Sequence, residues 1–103
     1  MSVLMVLEIP AKRDGMQAAV DQHGDLLKEV AGRSREHGAM HHAFYSDQDG
    51  NVMVVDEWPN PEAFKAFFEA EGQNIGQLVQ ASGATGAPNP PRFYEKLEFG
   101  DDF

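Results

Sequence analysis

Residues 40–64 read MHHAFYSDQDGNVMVVDEWPNPEAF, and this stretch decides the fold. Two apolar runs flank a turn-forming segment, which predicts strands over residues 40–46 and 52–58 joined as a β-hairpin. The Asn-Pro-Glu that follows predicts a helix, because Asn caps a helix start and proline suits the first helical position. The middle of the chain is therefore a strand–turn–strand–helix unit.

The register of this hairpin decides which side chains share a face of the sheet. With Asp49 and Gly50 at the centre of a type I′ turn, His41 pairs with Trp58. One face then carries four side chains of chemical interest: His41, Tyr45, Asp56 and Trp58. His42 falls on the opposite face in this register. A one-residue change in loop length exchanges the two faces, so which of the two histidines reaches Asp56 stays open.

An apolar strand and a long amphipathic helix precede the hairpin. Residues Val3 to Ile9 (VLMVLEI) are apolar on both faces except at Glu8, which predicts a central strand covered on both sides. Apolar residues then recur at three- and four-residue steps from Asp14 to His37, the pattern of a helix. Asp14 is the expected N-cap, and Gly38 the expected end.

Two further elements follow the hairpin. The helix after Asn60 extends to Gly72, and a shorter helical stretch continues to about Gly83. Residues 83–91 (GATGAPNPP) form a loop, either a plain connector or a lid over one end of the sheet. Residues 92–99 (RFYEKLEF) alternate and predict a final strand.

The element order is β-α-β-β-α-β within one domain spanning residues 1–103. Two right-handed βαβ crossovers place four strands in one antiparallel sheet with the helices on a single face, a ferredoxin-like α+β fold. The other sheet face then needs a cover, because the first strand is apolar on both sides. A second copy of the chain supplies it, so a homodimer closed around a β-barrel is expected.

Composition limits the partners. Seventeen acidic residues face eight Lys and Arg, a formal charge of −9, which disfavours nucleic acid and anionic membranes. No apolar run approaches the roughly 20 residues that span a bilayer, and the N-terminus is expected to be a strand rather than a signal peptide. The lack of cysteine excludes disulfides and thiolate metal sites and fits a cytoplasmic location.

The residues offer a candidate base and no catalytic motif. No phosphate loop, nucleophile elbow or metal-ligand spacing occurs, so no metal and no cofactor are expected. Asp56 or His41 is the candidate base and Trp58 the candidate positioning group, although a core aromatic and a satisfied carboxylate are the plainer interpretations. Candidate substrate contacts are Tyr45, Phe64, Phe67 and Glu8.

The segment Asp56 to Phe64 (DEWPNPEAF) resembles the antibiotic-biosynthesis-monooxygenase-like proteins of the dimeric α+β barrel superfamily. This resemblance implies a dimeric barrel. Because members of the family include cofactor-independent oxygenases of quinols and anthrones, the resemblance also implies such an activity. Haem-degrading members carry Asn on the first strand and His on the helix after the Trp. This chain has Glu8 and the pair Phe67 and Phe68 there, so the resemblance does not extend to haem binding.

Three functions follow from these expectations. The first is a cofactor-independent monooxygenase that acts on a quinol- or anthrone-like aromatic between the sheet and the helices. The second is a protein that binds a small apolar molecule without turnover. The third is a non-redox isomerase or cyclase, an activity that the same superfamily includes.

Overall fold

The computed structural model describes residues 2–103. In chain order its elements are β1 (Val3–Lys12), α1 (Arg13–Glu36), β2 (His41–Ser46), β3 (Asn51–Trp58), α2 (Pro61–Ala70), α3 (Gly72–Ala81) and β4 (Arg92–Glu95). The strands form one antiparallel sheet in the order β2-β3-β1-β4. The predicted ferredoxin-like α+β fold is therefore confirmed.

The core lies between the three helices and one face of the sheet. Alternate residues of β1 and β3 point into it, as the two-residue period of a strand requires. The buried apolar residues are Met5, Leu7, Ile9, Ala11, Met16, Ala19, Val30, Val52, Val54, Trp58, Phe64, Phe67 and Leu78. The helical layer covers this face completely enough that Met5 and Trp58 have no exposed surface.

The opposite sheet face is open in the protomer. Leu4 on β1, Tyr45 on β2 and Tyr94 on β4 are 40%, 49% and 50% exposed. Both faces of β1 are apolar, but in the protomer helices cover only one of them. No helix in residues 2–103 has the length and apolar character needed to cross a membrane.

Helix α1 differs from the prediction at its start. Its N-cap is Lys12, which makes no side-chain cap hydrogen bond, and Asp14 lies in the first turn, so the predicted Asp14 cap is wrong. A carboxylate in the first turn still favours the helix through its dipole. The backbone leaves helical geometry at His23, beside Gly24, which kinks α1. Gly38, with φ of 106°, follows the helix end as predicted.

The turn of the hairpin is not type I′. Only Gly50 has positive φ, 81°, among the loop residues, and the Gly50 N–H donates to the Asp47 carbonyl over 3.0 Å. The Asp47 carboxylate accepts hydrogen bonds from the backbone N–H groups of Asp49 and Asn51, both at 2.9 Å. The bond from Asn51 is the main cause that lowers the pKa of Asp47. These bonds select a three-residue loop with glycine in its last position.

The longer loop shifts the register by one residue. His42 pairs with Asp56 and His41 with Glu57, so the predicted pairing of His41 with Trp58 is wrong. His42 now shares the helix-covered face with Asp56. His41 and Tyr45 lie on the open face and are exposed. The exchange is the expected result of a one-residue slip, because side chains alternate along a strand.

The helix start after β3 matches its prediction. Asn60 is the N-cap of α2, and its Oδ1 accepts a hydrogen bond from the Ala63 N–H at 2.8 Å, with Pro61 at the first helical position. This cap fixes where the chain leaves β3. Trp58, two residues earlier, is thereby held against the first turns of α2.

The loop after α3 runs along the edge of β1. The Thr85 N–H donates to the Pro10 carbonyl and the Asn89 N–H to the Glu8 carbonyl, each over 3.0 Å. These bonds continue the edge that β4 pairs with further along β1. Strand β4 ends at Glu95, so the predicted strand to Phe99 is wrong in its second half.

Candidate functional site

A buried carboxylate joins two aromatic rings at one end of the sheet. Asp56 is 2% exposed. Its Oδ1 lies 2.7 Å from His42 Nδ1, and its Oδ2 accepts a hydrogen bond from Trp58 Nε1–H at 3.1 Å. Both carboxylate oxygens are therefore satisfied by side chains, as a buried charge requires.

The fold places these three side chains without any loop. Asp56 and Trp58 are two residues apart on β3 and so share a face, while His42 is the direct cross-strand neighbour of Asp56 on β2. The Trp58 ring packs against Phe64 and Phe67 of α2, with ring centroids 5.7 and 5.5 Å apart. Strand pairing and helix packing together fix the geometry.

The hydrogen bonds determine where the protons lie. Trp58 can only donate, and an ionised carboxylate can only accept, so His42 Nδ1 is the second donor to Asp56. A neutral His42 then carries its lone pair on Nε2, which has no hydrogen-bond partner among residues 2–103. The same residues contain no group of three His, Asp or Glu side chains arranged to hold a metal ion.

His42 borders an apolar cavity of about 70 Å³ between the sheet and the helices. The cavity is lined by Met5, Leu7, Ile9, Met16, Leu27, Val30, Ala31, Ser34, His42, Phe44, Val54, Asp56, Phe64, Phe67, Ile75, Leu78 and Val79. Among these only His42, Asp56 and Ser34 have polar side chains, and Ser34 already donates to the Ala31 carbonyl at 2.6 Å. A reacting group in the cavity therefore meets His42 in apolar surroundings.

The volume of the cavity limits what fits. Water needs on the order of 10–15 Å³, and a cavity of about 150 Å³ holds benzene. At about 70 Å³ the cavity has room for part of one small ring, and a fused three-ring anthrone exceeds it. Binding of any aromatic ring requires the walls to move outward.

The structure brings together four of the predicted site residues. Asp56 and Trp58 form the hydrogen-bonded pair, and Phe64 and Phe67, 3% and 6% exposed, line the cavity beside them. The other three predicted residues, His41, Tyr45 and Glu8, belong to the open sheet face. Glu8 there forms an ion pair with Arg92 at 3.3 Å. The predicted site is thus divided between two faces of the sheet.

His42 is the residue that the sequence interpretation placed on the wrong face. The loop sequence contains a signal for the correct face. Asp47 and Gly50 favour a three-residue loop as much as the pair Asp49-Gly50 favours a two-residue loop, and loop length decides which histidine shares a face with Asp56. Asp47 bonds back to the chain at Asn51. An Asp three residues before a Gly is therefore as informative as the Asp-Gly pair itself.

No family model matches this sequence, and no curated protein matches it. Solved structures match its fold. A conserved protein from Methanosarcina mazei Go1 superposes with a TM-score of 0.67 at 12% identity, covering 94% of each chain. A protein from Bordetella bronchiseptica, provisionally named an antibiotic biosynthesis monooxygenase, has a TM-score of 0.66 at 16% identity, covering 93% of this chain and 97% of its own. A dimeric ferredoxin-like protein from an uncultured marine organism has a TM-score of 0.65 at 10% identity, covering 93% and 90%.

This chain shares their fold. The resemblance drawn from residues 56–64 is therefore confirmed as a structural likeness to proteins with that monooxygenase name. Identities of 10–16% show how the backbone is arranged and leave the activity to be argued from the site.

Proposed function

We propose that this protein is an enzyme in which His42 removes a proton from a small aromatic substrate, and that it is a cofactor-independent monooxygenase. The observation that carries the proposal is the buried Asp56, which lies 2.7 Å from His42 Nδ1 and leaves Nε2 without a hydrogen-bond partner among residues 2–103, on a residue that lines an apolar cavity. A histidine whose other nitrogen is held by a carboxylate is the usual arrangement of a general base.

The chemistry needs only the base, the cavity and dioxygen. His42 Nε2 accepts a proton from a phenol or an activated C–H group, and the resulting anion transfers one electron to O₂. The substrate radical and superoxide combine, and loss of water leaves a new carbonyl group on the substrate. One oxygen atom enters the product and the other leaves as water, with four electrons taken up by O₂ from the substrate.

The remaining site residues act on His42 or on the substrate ring. Asp56 positions the imidazole and stabilises its protonated form, and the Trp58 N–H holds the second carboxylate oxygen. Phe64 and Phe67 contribute flat apolar walls. The base is thus assigned to His42, with Asp56 in a supporting role.

Cavity size narrows the substrate class. Because the cavity of about 70 Å³ takes less than a benzene-sized ligand before its walls move, a single-ring quinol suits it better than a fused anthrone. The kink at His23 divides α1 next to the segment that contributes Leu27 and Val30 to the wall. Outward movement of that half of α1 would enlarge the cavity without disturbing the sheet.

Oxygen uptake tests the proposal. Purified protein treated with a chelator is given single-ring quinols, and His42→Gln is compared with the wild type. We expect uptake by the wild type and a loss of about 10²–10⁴-fold in His42→Gln, the usual contribution of a general base. His37→Gln, a change of the same kind at an exposed residue that does not line the cavity, should retain the activity. Retained uptake in His42→Gln with loss in His41→Gln would contradict the assignment.

A ligand-binding role without turnover is the second candidate. The specific observation in its favour is the apolar cavity between the sheet and the helices, whose lining has three polar side chains among its apolar ones. Saturable quinol binding without oxygen uptake would support it. Conversion of a ligand without oxygen consumption would instead indicate a non-redox isomerase or cyclase that uses the same base.

We also propose that the open sheet face forms a homodimer. Leu4, Tyr45 and Tyr94 give this face an exposed apolar and aromatic surface, and a structural neighbour is described as dimeric. Light scattering should show a dimer for the wild type and a monomer for Leu4→Glu. Gln22→Glu adds the same charge on an exposed part of α1 and should remain dimeric, and a monomeric wild type would contradict the proposal.

A further inference from the structure

A second pocket lies on the outer side of His42. It has a volume of about 470 Å³ and is formed by the C-terminal half of α1 and the start of β2. Four of its lining side chains are basic or imidazole groups: Lys28, Arg35, His41 and His42. The remaining lining residues are uncharged, and no acidic residue lines it. A pocket of this size lies within the usual range for small-molecule sites.

This concentration of positive charge is unusual for a chain with a net charge of −9. Three other basic side chains are neutralised by acids: Arg33 by Glu71, Arg92 by Glu8 and Lys96 by Asp102. Lys28 and Arg35 form no ion pair within residues 2–103. They therefore remain available to an anion from solution.

Helix α1 supplies both the shape of the outer pocket and its two charged side chains. Lys28 and Arg35 are seven residues apart, two turns of α1, so they project on the same face. Between them lie Ala31 and Gly32, whose small size leaves the concave floor. A basic residue in the last turn of a helix is explained by the helix dipole, which accounts for Arg35. Lys28 lies two turns further back, where the dipole has little effect.

The imidazoles complete the pocket in different ways. His41 is the cross-strand neighbour of Glu57, so a carboxylate lies beside it on the open sheet face. His42 lines both the inner cavity and this outer pocket, and its side chain is 28% exposed. One imidazole thus separates an apolar compartment from a cationic one.

We propose that the outer pocket binds a carboxylate group of the substrate, so that the preferred substrate is a single-ring quinol that also carries a carboxylate. Lys28 and Arg35 hold the carboxylate while the ring passes His42 into the cavity. The inference rests on the proposed function for the reacting end of the molecule. The anion site itself can be measured by binding alone.

Benzoate is the probe for this site, with benzamide as its neutral counterpart of the same shape. Isothermal titration calorimetry should show that benzoate binds at least about tenfold more tightly than benzamide, and that added salt reduces the difference. Lys28→Met and Arg35→Met should each weaken benzoate binding by about tenfold and leave benzamide unchanged. Arg13→Met removes an equally exposed charge from the other end of α1 and should have no effect.

A further variant fills the pocket without changing its charge, and a matched control places the same side chain elsewhere on α1. A Cβ at Gly32 meets no atom within 4 Å, so Gly32→Leu should fold normally and place its side chain over the pocket floor. Benzoate binding should then fall by more than about tenfold. Gly24→Leu, at an equally open position of the same helix away from the pocket, is the matched control and should bind benzoate as the wild type does.

The outcomes separate the two proposals. Equal binding of benzoate and benzamide, no saturable binding of benzoate, or equal losses in Arg13→Met and Arg35→Met would overturn the carboxylate site. Uptake of oxygen with neutral quinols alone would also overturn it, while leaving the proposed function in place. Tight benzoate binding that depends on Lys28 and Arg35, in a protein that consumes no oxygen, would retain the carboxylate site and reject the oxygenase.

Discussion

Replacement of Asp56 by Asn should move the proton of His42 from one ring nitrogen to the other. The amide offers one acceptor and one donor where the carboxylate offers two acceptors. Trp58 Nε1 can only donate, so it takes the amide oxygen, and the amide nitrogen then faces His42 Nδ1. His42 must accept that hydrogen bond on Nδ1, which places its proton on Nε2. Nε2, the proposed base, then has no lone pair with which to accept a proton.

The cost to folding should be modest. Two hydrogen bonds to an ionised group become neutral ones, a loss of about 1 kcal/mol each, and relief of the buried charge offsets part of it. A net loss of about 1–2 kcal/mol corresponds to a melting temperature lower by about 4–16 °C in a domain of this size. The effect on proton abstraction is far larger, about 10²–10⁴-fold, because the base is lost.

Two assays follow the change separately. Long-range ¹H–¹⁵N correlation spectra of the imidazole rings report which nitrogen carries the proton, and oxygen uptake reports the reaction. Glu57→Gln is the matched control, because it removes the same charge from the next residue of β3 on the other face of the sheet. Persistence of the Nδ1–H form in Asp56→Asn, or unchanged uptake, would refute the assignment of Asp56 as the residue that orients His42.

Two further predictions concern the packing of α1. The hydrogen bond from Arg33 is the main cause that lowers the pKa of Glu71 below 4.5, so the stability it contributes is present above pH 4.5 and is lost as pH falls through the lowered pKa. Arg33→Met should therefore cost about 1–2 kcal/mol near neutral pH and less in acid, and urea unfolding at both pH values checks this; an equal loss at both would contradict it. A Cβ at Gly15 would overlap the Ser82 carbonyl oxygen, so Gly15→Ala should destabilise the protein by about 1–3 kcal/mol. Gly24→Ala meets nothing and should be neutral or stabilising by calorimetry, and similar melting temperatures for the two variants would be inconsistent with this packing.

Most of the fold could be predicted because its signals are local. The Asn60-Pro61 helix start, the stop at Gly38 and the apolar periods of the strands each depend on the chemistry of a few neighbouring residues. The end of β4 could not, because the alternation of residues 92–99 continues beyond Glu95, which pairs with Val3, the first residue of β1. The Lys96 N–H then donates to the Ser2 carbonyl outside the strand.

The sequence by itself determined the order of the elements, the sheet and its helix-covered face, and the presence of a carboxylate and an indole on one face of β3. Alternation along a single strand is enough for that last point, because Asp56 and Trp58 are two residues apart. Only the tertiary structure decided which histidine joins them. That choice depends on one residue in the hairpin loop, where the hydrogen bonds of Asp47 and the positive φ of Gly50 favour three residues over two. The three-residue loop places His42 on the helix-covered face beside Asp56, where the two-residue loop would have placed His41, because side chains alternate along a strand.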